Sequence, residues 1–323
     1  MMKRIAVALV ASAAVLLGVA EARAVTVYLT TRDTTDITLA GVTFARGDIV
    51  AYNTETVSAS LFFNGRQYFR DWHGDTGGVE NIDALYVYSD GRMLLSTDST
   101  ARLGQTPLKF DPGDVVLFDM VTDTASIFLP GDGGDSVFRK RNWSQGASED
   151  VDAFHLMANG HYLLSTNGDA RLGDNHLRIK PGDIVEYDPV NDEASVYFDS
   201  TLFRKANGDP QRADAVNVDG VSELDDSLLL SVANTTARLG APPDMLTFRD
   251  GDIVLYDLAT DQASLFFSED MLHCFARDID GLSVLYTSEQ PPDQPQPVPE
   301  PVTMVGLTLG ICGLGGYLRR RRV

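Results

Sequence analysis

The sequence predicts an all-β protein, specifically a four-bladed β-propeller built from repeats of about 69 residues. Three observations predict it: a recurring segment, four strand patterns within each repeat, and two terminal fragments that complement each other. The segment aligns without gaps as GDIVAYNTETVSASLFF, GDVVLFDMVTDTASIFL, GDIVEYDPVNDEASVYF and GDIVLYDLATDQASLFF, starting at Gly47, Gly113, Gly182 and Gly251. Its spacings of 66, 69 and 69 residues are typical of stacked or ring-shaped repeat architectures.

Each repeat contains four short strand patterns, named a to d in chain order. The recurring segment forms strands c and d, because a Gly-Asp turn opens a β-branched run and a polar loop then reverses the chain. Strand a reads NIDALYVYS, DVDAFHLMA, NVDGVSELD or DIDGLSVLY, and strand b reads GRMLLST, GHYLLST or SLLLSV. Four such strands make one propeller blade. We expect the turn aspartates to bond nearby backbone N–H groups; they are Asp48, Asp114, Asp183 and Asp252.

The two ends of the repeat array together make one blade. The N-terminal fragment carries VTVYLTT, IVAYN and ASLFF, which correspond to strands b, c and d, whereas DIDGLSVLYT near the other end is strand a alone. A closed ring uses such a split blade, since pairing the last strand with the first removes exposed edges. A linear solenoid would need capping repeats instead. We therefore place the propeller at residues 25–288, with a solenoid or two β-sandwiches as the alternatives.

The chain begins with the pattern of a secretory signal peptide. Lys3 and Arg4 precede a 15-residue apolar core, and Ala22 and Ala24 supply the small residues of a cleavage site. Cleavage is expected after Ala24, so residues 1–24 form the predicted signal peptide. The sequence therefore predicts an exported protein.

Charge and cysteine content narrow the possible partners. Without the signal peptide and the segment from Glu300 onwards, 19 basic and 44 acidic side chains leave a net charge near −25. Such a surface repels nucleic acid and anionic membranes, because phosphate binding needs a basic footprint. It suits divalent cations or neutral glycans. The two cysteines are Cys274 and Cys312, and the second lies in the apolar C-terminal segment, so the exported part has no disulfide framework.

A different composition begins after residue 288. Residues 289–301 form a Pro-rich linker, and residues 302–318 are 17 residues without a charge, which as a helix would span ~26 Å. An arginine cluster ends the chain and would stay on the cytoplasmic side by the positive-inside rule; it comprises Arg319, Arg320, Arg321 and Arg322. Residues 302–323 are therefore predicted to form a transmembrane helix and its basic anchor.

The order Val-Pro-Glu-Pro, apolar segment and arginine cluster closely resembles the PEP-CTERM sorting signal of Gram-negative bacteria. The resemblance covers about 26 residues. It implies recognition by an exosortase, processing near Pro299, Glu300 and Pro301, and loss of the helix after a transient stay in the inner membrane. It also implies a cell-surface or extracellular location in a setting of exopolysaccharide or biofilm. A permanent membrane anchor is the alternative.

The best candidate for chemistry is the aspartate that recurs at the start of strand a, as Asp83, Asp152, Asp219 and Asp280. Innermost strands line the channel of a propeller, so these side chains are predicted to face one another. Four carboxylates in a narrow ring need a cation or water to stay ionised together, and Ca²⁺ could use their oxygens. The alternative is that each only accepts backbone N–H bonds. The Asp-Ala opening is similar to the start of a hemopexin repeat, a resemblance that implies four blades with ions in the channel.

The connections between strands d and a carry both tryptophans. Trp72 and His73 lie in FRDWHGD, and Trp143 lies in FRKRNWSQG. Exposed aromatic rings beside polar groups suit the face of a sugar, whereas packing between blades is the alternative.

The sequence lacks G-x-S-x-G, H-E-x-x-H and a phosphate-binding glycine loop, which argues against an enzyme. We therefore expect an exported surface or matrix protein with a binding or scaffold propeller that contacts extracellular polysaccharide. A secreted propeller hydrolase or lyase with a channel metal is the alternative.

Overall fold

The computed structural model describes residues 25–286, apart from residues 33–35, 132, 141–143, 145, 147–148, 213–214, 234–235 and 274–277. The predicted signal peptide, linker and C-terminal helix lie outside the described residues. None of the helices in the described residues is both long and apolar enough to cross a membrane. Helical structure in these residues is confined to α1 (Gly65–Tyr68) and two 3₁₀ turns (Ser200–Leu202 and Glu269–Met271).

Short strands with alternating or fully buried patterns make up almost all of the regular structure. The first strands are β1 (Val25–Thr31), β2 (Ile37–Leu39), β3 (Val42–Phe44), β4 (Ile49–Asn53) and β5 (Ser58–Phe63). The next group is β6 (Ile82–Val87), β7 (Met93–Thr97), β8 (Ala101–Leu103), β9 (Leu108–Phe110), β10 (Val115–Asp119) and β11 (Thr124–Leu129). A third comprises β12 (Val151–Leu156), β13 (Tyr162–Thr166), β14 (Ala170–Leu172), β15 (Leu177–Ile179), β16 (Ile184–Asp188) and β17 (Glu193–Phe198). The last are β18 (Val218–Leu224), β19 (Ser227–Val232), β20 (Ala237–Leu239), β21 (Leu246–Phe248), β22 (Ile253–Asp257), β23 (Gln262–Phe267) and β24 (Ile279–Tyr286).

These strands form a four-bladed β-propeller, as the repeats predict. Blade I has the strand order β6-β7-β10-β11, blade II β12-β13-β16-β17, blade III β18-β19-β22-β23 and blade IV β24-β1-β4-β5. Neighbouring strands in each sheet are antiparallel. Each innermost strand packs against the innermost strands of both adjacent blades and also reaches the one across the axis. The four innermost strands therefore lie close together around the axis.

Blade IV closes the ring in the predicted way. The C-terminal strand β24 is its innermost strand and pairs with β1, with Val25 opposite Tyr286 and Leu29 opposite Leu282. The N-terminal fragment supplies strands b, c and d of this blade and the C-terminal fragment supplies strand a. The prediction of complementary ends is confirmed.

Each blade also contains a small hairpin that the four-strand pattern did not predict. The pairs β2-β3, β8-β9, β14-β15 and β20-β21 lie between strands b and c. Each of these strands has three residues, too short for an alternating pattern to stand out. The first strand of each hairpin ends in a buried leucine. In blades I and II this leucine forms an isolated β-bridge with a phenylalanine, Leu103 with Phe69 and Leu172 with Phe138. The hairpin thus covers the outer end of the core between blades.

The turn aspartates accept backbone N–H bonds, as expected. Asp114 accepts from the N–H of Asp111 at 3.0 Å and from that of Gly131 at 2.8 Å. The same two bonds recur at the other three turns, at Asp48, Asp183 and Asp252. Each carboxylate therefore ties the turn before strand c to the second residue after strand d.

An arginine before each of blades I to III is paired with an aspartate at the c–d turn of that blade. The pairs are Arg70 with Asp123 at 2.8 Å, Arg139 with Asp192, and Arg204 with Asp261 at 3.3 Å. These aspartates have positive φ, between 49° and 53°. Blade IV has His273 and Val57 at the corresponding positions, so this ion pair is not formed between those two described residues. Val57 nevertheless keeps the positive φ, at 50°.

Candidate cation site at the propeller axis

A β-bulge positions the recurring aspartate of each innermost strand. In blade I, Ile82 pairs with Thr97 and Ala84 with Ser96, so that Asp83 is the extra residue. The same shift falls across Asp152 and Asp219 in blades II and III. In blade IV the shift lies between Leu29 and Thr31, which brackets Asp280 on the facing strand. A bulge turns a side chain away from the regular alternation, and here it does so at the same position in all four blades.

The residue after each of these aspartates is Ala or Gly, because the chain is crowded near the axis. A Cβ added to Gly281 would lie 2.7 Å from the Thr30 hydroxyl oxygen, which accepts the Gly281 N–H at 2.6 Å. One added to Gly220 would lie 2.2 Å from the Ser231 hydroxyl oxygen. These two glycines therefore let the innermost strand approach the second strand of its own blade closely beside the aspartates.

A second polar position, two residues before each aspartate, completes the cluster. It alternates around the ring as Asn81, Asp150, Asn217 and Asp278. The Asn81 amide donates to Asp280 of blade IV, and the Asn217 amide donates to Asp152 of blade II. At the other two blade interfaces the second position is an aspartate, and carboxylates meet carboxylates.

Those two interfaces hold compact groups of three carboxylates. The oxygens of Asp83, Asp150 and Asp152 lie within 4.8 Å of one another, and so do those of Asp219, Asp278 and Asp280. The first group lies between blades I and II and the second between blades III and IV. The four predicted aspartates are thus brought to the axis, but they are divided between two groups.

Two carboxylates in these groups are buried without a hydrogen-bond donor. Asp83 and Asp219 are each 1% exposed. Among the described residues, neither oxygen of Asp83 or of Asp219 accepts a hydrogen bond. The same holds for one oxygen of Asp150 and for the side-chain carbonyl oxygens of Asn81 and Asn217. Buried charges are costly unless they are paired or bind metals, so the expectation that each aspartate only accepts backbone N–H bonds does not hold here.

Burial and mutual repulsion raise the pKa values of these aspartates. Burial raises the pKa of Asp83 well above its usual value, and Asp150 and Asp152 raise it further. Burial likewise raises the pKa of Asp219 strongly, with Asp278 and Asp280 adding to it, while the nearby Ser231 hydroxyl opposes the shift weakly. Burial raises the pKa of Asp152 to about 8. The unliganded groups therefore favour protonated carboxyls.

The pKa of Asp280 is raised less, because two groups counteract its burial. Burial raises this pKa to about 6, while the Asn81 amide and the positive charge of Arg32 lower it. Arg32 follows strand β1 and is exposed. Desolvation lowers the pKa of its guanidinium, but Asp280, Asp278 and Asp152 outweigh this effect, so the pKa is raised overall. Arg32 thus supplies one positive charge close to the carboxylates.

The donor set fits a hard divalent cation. Ca²⁺ binds six to eight oxygens at 2.3–2.6 Å, so two oxygens on opposite sides of one ion lie up to about 5 Å apart. The 4.8 Å limit in each group satisfies this distance. Carboxylates and amide carbonyls are the side-chain ligands that Ca²⁺ prefers, whereas no described residue offers a thiol or imidazole to these groups. A bound cation would also stabilise the ionised form of the orphaned carboxylates.

The second predicted site, the aromatic residues of the d–a connections, is only partly described. Trp72 is 75% exposed and lies against His73, with ring centroids 3.4 Å apart. Trp143 lies outside the described residues. Trp72 is therefore available to a ligand from solvent and does not pack between blades.

Sequence reasoning missed Asp150 and Asp278 as members of the site. The signal was present, because the strand-a openings read Asn-Ile-Asp, Asp-Val-Asp, Asn-Val-Asp and Asp-Ile-Asp. A regular strand would place the first and third residues on the same face, but only the bulge and the packing across blades show that the first reaches the preceding blade.

Comparisons with known proteins find distant structural likenesses but no family. No known protein family and no curated protein matches the sequence. An extracellular domain assigned to a hybrid two-component system of B. thetaiotaomicron aligns at 10% identity and a TM-score of 0.29, covering 77% of this chain. This chain spans only 28% of that protein. A protein of unknown function from Bacteroides caccae aligns at 9% identity and a TM-score of 0.34, covering 81% of this chain and 99% of the other. The computationally designed Ika4 protein aligns at 10% identity and a TM-score of 0.23, covering 59% and 94%. At these scores the likenesses carry no argument. The strands alone define the chain as a four-bladed β-propeller protein.

Proposed function

We propose that this chain is an exported, exosortase-sorted protein of the cell surface or extracellular matrix. Its propeller is a Ca²⁺-dependent binding or scaffold module associated with exopolysaccharide. The observation that carries the cation dependence is the pair of buried carboxylates, Asp83 and Asp219, whose oxygens have no donor among the described residues. Extracellular calcium modules work at 10⁻⁴–10⁻³ M, a concentration that suits an exported protein.

The export and sorting part of this proposal is supported by the sequence at the two ends of the chain. The signal-peptide pattern, the Pro-Glu-Pro motif and the arginine cluster occur in the order that sorting requires. The test is to follow the full chain in a bacterium that has an exosortase. We expect a shortened form at the cell surface or in the medium. Replacing residues 299–301 with alanines should leave the full-length form in the inner membrane; a wild-type chain that stays full-length would refute the sorting.

The association with polysaccharide is tested by co-sedimentation. The propeller is purified as residues 25–298, since its ring closes within residues 25–286. It is mixed with the producing organism's own exopolysaccharide in Ca²⁺ and in EDTA. Sedimentation that EDTA abolishes supports a cation-dependent matrix role. Sedimentation that survives EDTA but is lost in Trp72→Ala assigns the binding to the exposed aromatic residue. Failure to sediment in either buffer refutes the matrix association.

The alternative of a hydrolase or lyase with a channel metal is less well supported. The carboxylate groups would provide metal ligands, but a catalytic metal keeps an open position for water or substrate. Asp83 and Asp219 are buried, and innermost strands contact one another across the axis. A cation at this depth is better placed to hold blades together than to meet a polymer. Hydrolysis of the exopolysaccharide by the purified propeller would reverse this preference.

A further inference from the structure

The axis of the propeller has two-fold chemistry although its strands have four-fold symmetry. Two blade interfaces carry an amide–carboxylate bond, Asn81 to Asp280 and Asn217 to Asp152. The two interfaces between them carry Asp150 and Asp278 at the same position. Because the two kinds alternate around the ring, the blades are grouped as I with II and III with IV.

The amide–carboxylate interfaces satisfy their buried charge within the protein. Asn81 and Asn217 each donate to a carboxylate of the preceding blade, and a neutral amide adds no charge. Burial of an ion is tolerated when such donors are present. These two interfaces therefore need no cation.

The carboxylate–carboxylate interfaces each contain one buried carboxylate without such a donor in the described residues, Asp83 in one and Asp219 in the other. Asp150 accepts one bond, from the Asn167 amide at 3.1 Å, and its other oxygen has none. Asp83, which it faces, accepts none. In the other group, Asp219 also accepts none. When all three are ionised, the carboxylates of one interface thus share a small space with a formal charge of −3, and the two interfaces have the single positive charge of Arg32 near them.

We propose that the propeller binds two divalent cations, one at each carboxylate–carboxylate interface. Ca²⁺ is the ion that the oxygen ligands favour. One ion is bound by Asp83, Asp150 and Asp152 between blades I and II, and the other by Asp219, Asp278 and Asp280 between blades III and IV. This inference rests on the proposed cation dependence and makes it more specific. Four aspartates in a ring would most simply bind a single ion on the axis, whereas the two separate groups predict one ion each.

Charge and geometry favour two ions over one. The six carboxylates sum to −6, which one divalent ion and Arg32 reduce only to −3, whereas two ions and Arg32 reduce it to −1. Within each group the oxygens already lie within 4.8 Å of one another, the span of a single Ca²⁺ shell. The Asn81 and Asn217 amides bind one oxygen of Asp280 and Asp152 and hold these carboxylates in place.

The chain itself offers matched variants for the test. Asp150→Asn and Asp278→Asn each convert one carboxylate interface into the asparagine type that Asn81 and Asn217 already form. Both variants should therefore fold. Asp98→Asn is the control, because Asp98 lies close enough to raise the pKa of Asp83 and Asp280 but belongs to neither group.

The experiment measures bound Ca²⁺ per chain by equilibrium dialysis at millimolar Ca²⁺, with native mass spectrometry as a second readout. We expect two ions in the wild type, one in Asp150→Asn, one in Asp278→Asn, none in the double variant and two in Asp98→Asn. In EDTA each single asparagine variant should melt at a higher temperature than the wild type, because it removes a buried charge.

The outcomes separate this inference from the proposed function. One ion in the wild type, lost in either variant, would overturn two sites and leave a single axial ion. No ion in the wild type would overturn both the sites and the cation dependence. Two ions that persist in Asp150→Asn would place the ions elsewhere and overturn the assignment. Two ions lost as expected, with no co-sedimentation, would support the sites while the polysaccharide role fails.

Discussion

In the absence of divalent cations, the free energy of unfolding of the propeller should fall as pH rises. Acidic proteins usually show the reverse, since they lose stability as pH falls into the acid range. The perturbation is EDTA combined with a change from pH 4 to pH 8. The folded-state pKa of Asp152 is raised from 3.8 to about 8 by burial. A raised carboxyl pKa stabilises the fold below about pH 3.8 and loses that contribution as pH rises through about 8.

The size of the effect follows from this shift. Each tenfold difference in proton affinity is worth ~1.4 kcal/mol, so ionising Asp152 in the fold costs about 5 kcal/mol by pH 8. Asp83, Asp219 and Asp280 act in the same direction, since their pKa values are also raised. Total stabilities of domains are only about 5–15 kcal/mol. The chelated propeller should therefore be close to unfolding at pH 8.

Three aspartates with lowered pKa values act outside this pH window. The half-buried aspartates Asp119, Asp188 and Asp257 have pKa values lowered mainly by hydrogen bonds from the turn that follows each of them. Their stabilising contribution is present above pH 3.8 and lost only below it. Between pH 4 and pH 8 the buried aspartates dominate.

The assay is urea unfolding of residues 25–298 at several pH values, with EDTA and with Ca²⁺. Metal binding requires deprotonated ligands, so Ca²⁺ should restore stability most at pH 8. Asp152→Asn is the control, because it removes the titrating group and keeps a carbonyl that can accept from Asn217; it should flatten much of the profile in EDTA. Equal stability of the chelated wild type at pH 4 and pH 8 would refute the reasoning.

Three further predictions concern the frame around the site. Arg139→Met should cost ~3 kcal/mol, because the guanidinium is 2% exposed and paired with two aspartates, whereas Arg204→Met should cost about 1 kcal/mol at 18% exposure. Val57→Asp should stabilise by ~1 kcal/mol, since a β-branched residue is strained at positive φ, and adding His273→Arg should add about 0.5 kcal/mol by completing the missing pair. Asp114→Ala should cost about 3 kcal/mol through two lost charge-assisted bonds. All are measured by urea unfolding in Ca²⁺.

Each of these predictions has a contradicting result. Equal losses for Arg139→Met and Arg204→Met would show that burial of the pair does not set its strength. No gain from Val57→Asp would show that the backbone at this turn is unstrained or relaxes. A loss below ~1 kcal/mol for Asp114→Ala would mean that water replaces the carboxylate at this turn.

The ring could be predicted from the sequence because the repeated residues are the ones that form the blades. Gly-Asp turns, β-branched strands and Ala-Ser-aliphatic-aromatic strands recur in every blade, and each pattern predicts one local structure. The split blade followed from what each terminal fragment lacked. The small hairpins were missed, because three residues such as Ala101–Leu103 carry no period and their burial comes from a neighbouring connection.

The site was predicted in part for a similar reason. Asp83 and its three counterparts stand at one position of a repeated strand, so repetition was enough to find them. Repetition was not enough to find Asp150, because the corresponding position is asparagine in two blades and because Asp150 contacts a neighbouring blade. That contact depends on the bulge and on Ala or Gly at the next position, which are properties of packing. The sequence left open whether Trp72 is exposed or packs between blades, and its 75% exposure in the structure decides for the exposed position.

Ring closure and completion of the second carboxylate group depend on the same strand. Asp278 immediately precedes β24 and Asp280 lies within it, and β24 is the strand that pairs with β1 to close the propeller. Blade IV also lacks the arginine–aspartate pair that blades I to III have, so a cation between blades III and IV would replace a missing tie at the closure. Asp278→Asn should therefore raise amide hydrogen exchange of β1 in Ca²⁺ more than Asp150→Asn does. Only Asp278→Asn removes the cation that would hold the closing blade IV to blade III. Equal exchange in the two variants would show that closure by β24 is independent of the carboxylates beside it.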